Sequence, residues 1–354
     1  MVDPFPQSSS PAYTVSGSAA LERVIQHESL HGSRLLVPAF ICERFLRPIV
    51  DQYEIEPVFV DVDTETYHLE FDQARPQLPD VDAALFVHAF GLPAPIERWV
   101  DHCREHDVVV IEDCARALSA RRDGQLVGGF GDYAIFSLSK VAPVFTGGAL
   151  LTHPERSRLD LAPATISVDL FVKFLYTALP WELPYKNRLS VLYERLIGNR
   201  RYVTQDPEWG YQNADETPSV RELDPINRWL FERYLRRTFP HALGRHRSIA
   251  DSFRTVLETY GFDVQPDAPG RANYVLPATV PGDRDALVDY LCARDTPVQV
   301  IWNEPFGLSA DQSRADRYPG TQFLAENIIT IPIAALTQTE AARLIRNLHA
   351  YYRG

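Results

Sequence analysis

Lysine is almost missing from this chain. Its 354 residues include 35 basic ones, yet lysine occurs only as Lys140, Lys173 and Lys186. Chemistry that needs an amine nucleophile therefore has three side chains to choose from. A basic surplus is missing too. The formal net charge is −12, which opposes the counterion displacement that nonspecific nucleic-acid binding requires. Cysteine is sparse and scattered as Cys42, Cys103, Cys114 and Cys292, with no CxxC pair. Zinc-ligand spacing is thus absent, no metal site is expected, and reduced thiols in a cytoplasmic protein are the natural reading. No run of 18 or more apolar residues occurs, so no transmembrane helix is expected. The stretch MVDPFPQSSSPAY lacks a basic region followed by an apolar run, so no signal peptide is expected either.

What is present is an ordinary globular composition, with 45% hydrophobic and 23% charged residues, in a chain long enough for a large core. The first half alternates two periodicities. Leu35 to Val37, Pro57 to Val62, Ala83 to His88, Val108 to Ile111, Ala134 to Phe136 and Ala149 to Leu151 are short apolar runs with strand character. Between them, Leu21, Val24 and Ile25, and then Ile96, Trp99, Val100 and Cys103, recur at helical spacing. Strands alternating with helices imply an α/β fold with a largely parallel sheet. Ligands of such sheets bind beyond the carboxyl ends of the strands.

From residue 161 to 211 the pattern gives way to aromatics and arginines, read as a helical insertion. Helical periodicity resumes after Ile226 and runs to Tyr260. Strands are then expected at Ala272 to Leu276, Val298 to Trp302 and Ile328 to Ile333, with helices at Asp283 to Arg294 and Thr337 to Tyr352. These shifts divide the chain into a large domain over 1–235 and a small α+β domain over 236–354.

Four features stand where strands hand over to loops. Ser16-Gly17-Ser18-Ala19 opens a helix, either as a plain serine cap or as a phosphate site made of backbone N–H groups and a hydroxyl. Glu112-Asp113 ends the strongest strand, where Asp113 is a turn former or the partner of a cationic ring nitrogen. Ser137-Leu138-Ser139-Lys140 is followed by Gly147-Gly148, and Lys140 is a turn lysine or a Schiff-base amine. Val37-Pro38-Ala39-Phe40-Ile41-Cys42 is again a strand entering a loop, with Cys42 free to face a ligand.

The order of these features changes their weight. A phosphate turn, a strand-end Asp about a hundred residues later and a Lys 27 residues beyond it is the arrangement of fold-type-I pyridoxal phosphate enzymes. The strings SGSAAL, VPAF, PVFVDVD, VHAFGLPAPI, VVIEDCARALSA, GGFGDYAIFSLSK, TGGALLT and NIITIPIAALTQTEAARLI resemble the DegT/DnrJ/StrS family of sugar-nucleotide aminotransferases. The resemblance implies a large domain with a mostly parallel seven-stranded sheet between helices, plus a smaller α+β domain. It implies pyridoxal 5′-phosphate as cofactor, Lys140 as its Schiff-base lysine and Asp113 as the pyridinium partner. Ala115 would pack on the ring. Gly17, Ser18, Ala19 and Ser137 would hold the phosphate, with Ser139 as the rival of Ser137.

The departures concern the site's edges. Cys42 stands where the family has a stacking aromatic, and Arg116 where it has a glutamine facing the phenolic oxygen. The loop that reaches a neighbouring subunit's phosphate is reduced to Ser219-Val220-Arg221. The implied activity is transfer of an amino group, with glutamate as the expected donor, to a keto-sugar nucleotide. A homodimer is implied, with the 161–211 segment expected at its interface. The competing expectations are a sugar dehydratase or lyase on the same cofactor, and a non-catalytic descendant that binds cofactor or sugar nucleotide.

Overall fold

The computed structural model describes residues 3–6, 10–157, 159–164, 220–294, 296, 298–310 and 316–353. The aromatic, arginine-rich stretch from 165 to 211 and Ser219 therefore lie outside the described residues.

The apolar runs of the first half become the strands of one sheet because each has an apolar residue for both faces. The strands are β1 (Ala12–Thr14), β2 (Arg34–Pro38), β3 (Glu56–Val60), β4 (Ala83–Val87), β5 (Val109–Asp113), β8 (Tyr133–Ser137) and β9 (Gly148–Thr152), with a two-residue hairpin of β6 (Arg121–Arg122) and β7 (Gln125–Leu126) between β5 and β8. Their order is β1-β9-β8-β5-β4-β2-β3. The five strands from β8 to β3 are mutually parallel, while β9 runs antiparallel between β8 and β1. The expected seven-stranded, mostly parallel sheet is present, with an antiparallel end.

Alternation along the strands sorts the core into layers. Leu35, Val37, Leu85, Ile111, Ile135 and Leu150 meet Leu21, Val24 and Ile25 of α1 (Gly17–His27) and Leu46, Ile49 and Val50 of α2 (Glu43–Gln52). The intervening Leu36, Ala84, Phe86 and Val110 meet Ile96, Trp99, Val100 and Cys103 of α4 (Ile96–Arg104), which follows the short α3 (Phe71–Ala74). Nearer β9, Ala134, Phe136, Ala149 and Leu151 pack under Phe231 and Tyr234 of α5 (Pro225–Arg237) and Phe239 of α6 (Phe239–Thr259).

The second core is built on the antiparallel sheet β10 (Asp263–Val264), β11 (Leu276–Thr279) and β12 (Ile328–Ile331). It is covered by the C-terminal half of α6, by α7 (Arg284–Cys292) and by α10 (Gln338–Arg353). Helices α8 (Phe306–Ser309) and α9 (Pro319–Asn327) lie between. Thr337 and Glu340 form a reciprocal capping box at the start of α10: the Thr337 Oγ1 accepts the Glu340 N–H at 3.2 Å and the Glu340 carboxylate accepts the Thr337 N–H at 2.8 Å.

Two expected strands are corrected. The one placed at 272–276 begins at Leu276, because Ala272 instead donates its N–H to the Gly91 carbonyl of the large sheet's loops. The one placed at 298–302 is a single bridge between Gln299 and Thr330. Trp302, with φ at +53°, turns the chain out of the extended region.

Candidate active site

Parallelism puts the carboxyl ends of β2, β4, β5 and β8 at one edge of the sheet. Cys42, His88, Asp113 and Ser137 to Lys140 leave the sheet there, one group per strand. The phosphate-type turn joins them because of β1, which the sequence did not reveal. Thr14 pairs with Gly148, and Gly148 with Ser137. The end of β1 and the start of α1 thereby come to the same edge.

Gly148 permits this approach. A Cβ on Gly148 would stand 2.3 Å from the Ser16 carbonyl oxygen, so only glycine fits. A Cβ on Gly17 would lie 3.4 Å from the Phe136 carbonyl oxygen and 3.6 Å from Ser137 Cβ. The start of α1 thus rests directly on the end of β8. Ser16 caps the helix by accepting the Ala19 N–H at 3.1 Å. N–H groups of a helix's first turn have no acceptor inside the helix and suit an anion. Gly17, Ser18, Ala19 and Ser137 are therefore gathered in one place.

Lys140 ends a single 3-10 turn after β8 and is half-buried. The loop behind it is tied down at several points. Leu138 donates to the Gly147 carbonyl at 2.8 Å, the buried Asn227 of α5 accepts the Phe145 N–H at 2.8 Å, and the Thr146 hydroxyl donates to the Val15 carbonyl at 2.6 Å.

Asp113 is only 7% exposed. Its Oδ1 accepts the Ala115 N–H at 2.9 Å. Burial raises its carboxyl above the usual range, and the nearby positive charge of Lys140 is the largest influence acting the other way. Arg116 also acts on Asp113 through its charge. A buried carboxylate in this state gains from a cationic partner, and the chemistry fits a protonated ring nitrogen. Ala115, small and half-buried, follows on the same loop. Cys42 stands farther away, at the head of α2 beyond β2, with β4 between it and Asp113.

Sequence reasoning missed the residues behind Asp113. Glu112 points to the opposite face of β5 and is fully buried. Its two oxygens accept the N–H groups of Gly128 (2.8 Å), Phe130 (2.8 Å) and Gly131 (2.7 Å), and the His88 Nε2–H at 2.9 Å. His88 Nδ1 accepts the Ala94 N–H at 3.0 Å, which fixes the tautomer with hydrogen on Nε2. Burial opposes ionisation of Glu112, but the His88 hydrogen bond and the loop's N–H donors outweigh it and hold its carboxyl below the usual range. His88, Glu112 and Cys114 offer three ligand atoms within 4.8 Å of one another. Both His88 nitrogens and both Glu112 oxygens are already engaged, so this cluster is a hydrogen-bonded core.

Residues 10–159 match the DegT/DnrJ/EryC1/StrS aminotransferase family. An L-glutamine:2-deoxy-scyllo-inosose aminotransferase of Streptomyces kanamyceticus is 37% identical over 244 residues, 64% of this chain and 48% of that protein. A GDP-perosamine synthase of Escherichia coli O157:H7 is 33% identical over 102 residues, 28% of each chain. The matched stretches thus span between about a quarter and a half of these curated relatives. Among solved structures, the putative sugar aminotransferase Spr1654 of Streptococcus pneumoniae superposes with a TM-score of 0.72 at 17% identity, covering 99% of this chain and 89% of that one. The 3-amino-5-hydroxybenzoic acid synthase gives 0.70 at 19% identity, covering 97% and 87%. The shared fold therefore extends along nearly the whole chain, and over residues 10–159 the chain is similar to the DegT/DnrJ/EryC1/StrS aminotransferase family.

Proposed function

We propose that this protein is a pyridoxal-phosphate-dependent aminotransferase. It would move an amino group from an amino acid, with glutamate as the expected donor, to a nucleotide-linked keto sugar in the cytoplasm. The observation that carries this reading is the convergence at one sheet edge of Lys140, the buried Asp113 and the start of α1 against Ser137. The cofactor, when bound, supplies an electron sink for the carbanion formed at the donor's α-carbon. Lys140 is the amine that would hold it covalently, and Asp113 would keep its ring nitrogen protonated. Gly17, Ser18, Ala19 and Ser137 would bind its phosphate. The Lys140 Nζ would also be the base in place to take the proton from the donor's α-carbon.

The acceptor assignment draws on relatives described as a GDP-perosamine synthase and a UDP-N-acetyl-3-dehydro-α-D-glucosamine 3-aminotransferase. The relative with the 244-residue match is described as acting on 2-deoxy-scyllo-inosose with L-glutamine. A free cyclitol ketone and a glutamine donor are accordingly the second reading. No helix among the described residues is long and apolar enough to cross a membrane.

Borohydride reduction of the protein with pyridoxal phosphate, followed by peptide mapping, is expected to place the label on Lys140. Label on Lys173 or Lys186 would overturn the assignment. Glutamate alone is expected to convert the bound cofactor's absorbance to that of the pyridoxamine form. Cofactor binding without this conversion, under either glutamate or glutamine, would favour a lyase. No cofactor absorbance at all would favour a binding protein.

The functional unit is proposed to be a homodimer, with the aromatic segment at 161–211, Phe171, Tyr176 and Trp181 included, contributing to the contact. Light scattering should then give twice the chain mass at micromolar concentration, and a monomer would refute it.

A further inference from the structure

The loop Gly128-Gly129-Phe130-Gly131 is folded around a single carboxylate. Three of its four N–H groups point at Glu112. Gly128 has φ at +84°, and a Cβ on Gly131 would stand 2.9 Å from both the Val110 carbonyl oxygen and its side chain, so neither position accepts an ordinary residue without strain. The fourth donor comes from the next strand. His88 gives its Nε2–H to Glu112, its Nδ1 takes the Ala94 N–H, and its backbone N–H donates to the Asp113 carbonyl at 3.0 Å. A buried acceptor with four donors and no competing acceptor is a rigid, fully satisfied network. It joins the ends of β4 and β5 and the loop before β8, and it encloses the backbone of Asp113 from the face opposite the candidate site.

We propose that Glu112 and His88 are positioning residues for Asp113. Their network fixes the end of β5, so that the Asp113 carboxylate meets the cofactor's ring nitrogen in one orientation. This inference rests on the pyridoxal phosphate reading above and adds two residues to it. Both His88 nitrogens and both Glu112 oxygens are engaged within the network. Both residues act through the strand that carries Asp113, as outer hydrogen-bond partners orient the ligands of a metal.

The test uses Glu112→Gln in the full chain loaded with pyridoxal phosphate labelled with ¹⁵N at the ring nitrogen. A glutamine keeps the shape but turns an NH₂ toward N–H donors. The ¹⁵N shift followed against pH reports how firmly the ring nitrogen is protonated. The expected result is a ring-nitrogen titration moved to lower pH than in the wild type, with cofactor affinity weakened roughly tenfold, the lower end of the scale for loss of an outer partner. A titration unchanged from wild type, with only a lowered melting temperature, would overturn the proposal. Should Glu112→Gln not fold, His88→Phe and His88→Gln replace it. Glutamine can keep the N–H toward Glu112, so its ring-nitrogen titration should lie nearer the wild type than that of the phenylalanine variant. Indistinguishable titrations for these two variants would equally overturn the proposal. If the wild type itself takes up no pyridoxal phosphate, the functional reading has failed, and that result is separate from either outcome.

Discussion

Asp113 shows how much a single position can be asked to do. Its carboxyl is buried and raised in pKa, with Lys140 as the principal opposing charge, and removing its charge should be felt at the ring nitrogen. On the proposed function, Asp113→Asn is expected to keep much of the cofactor binding, because the proposed phosphate contacts remain, while losing most of the transamination rate. Turnover near wild type would mean that the residue only shapes the turn. A second residue contributes to the loss of stability in acid. His68 is 8% exposed and donates its Nε2–H to the Leu92 carbonyl oxygen at 3.1 Å. Burial lowers its pKa from 6.5 to about 4. The unfolded chain therefore binds a proton near pH 6.5 that the folded chain refuses until about pH 4. The stability this contributes is complete above pH 6.5 and drains away as the pH falls toward 4. Between pH 7 and pH 5 the loss is on the order of 2 kcal/mol. His68→Gln, which keeps an N–H for Leu92, should flatten the acid limb of a urea-stability profile, and an unchanged slope would show that His68 does not govern it. The placement of Asp113 and Lys140 at strand ends was legible in the sequence because each follows directly on an apolar run of the parallel sheet. His88 and Glu112 were not, because their hydrogen bonds join positions 24 residues apart, and no local pattern signals such a partnership.

Elements of the two cores meet in a specific way. Asp61, just past β3, is buried and accepts the N–H groups of Gly320 (2.7 Å) and Thr321 (2.8 Å) and the Thr321 hydroxyl (2.7 Å). It caps α9 from outside, a role normally filled by a residue of the helix's own entry. A Cβ on Gly320 would stand 2.3 Å from the Val62 carbonyl oxygen, so the helix start is pressed against the large domain. Gln265, after β10, adds donors to the Thr66 and Ala89 carbonyls at 2.7 and 3.1 Å. Asp61→Ala should cost about 2 kcal/mol by leaving buried N–H groups without acceptors, measured by urea unfolding. A change below the error of the measurement would show that the cap is dispensable. The strands β2 to β5 and the helices α1 and α4 were readable from their periodicity. The failures came where tertiary contact decided: β1 is three residues long, and the 298–302 run is turned aside at Trp302, which packs against Phe40 and Phe90 with ring centroids 5.1 and 5.2 Å apart.

At the scale of the molecule, two cores share one helix. The N-terminal part of α6 belongs to the large domain's apolar cluster through Phe239, and its C-terminal part to the small domain's through Phe253 and Leu257. With Asp61, Gln265 and the Phe306 N–H to Ile41 carbonyl bond at 2.9 Å, the domains are joined at several independent points, so a single cooperative unfolding transition is expected. Two resolved calorimetric peaks would contradict it. The pairing of β1 with β9 carries a consequence in time. Ala12 meets Leu150 and Thr14 meets Gly148, so the start of α1 cannot be seated when it is synthesised. It has to wait, unanchored, until the strand that follows Lys140 has emerged. Long loop closures of this kind are slow, so recovery of the proposed phosphate site should trail recovery of helical signal during refolding, and its final step should be the docking of an early segment onto a late one.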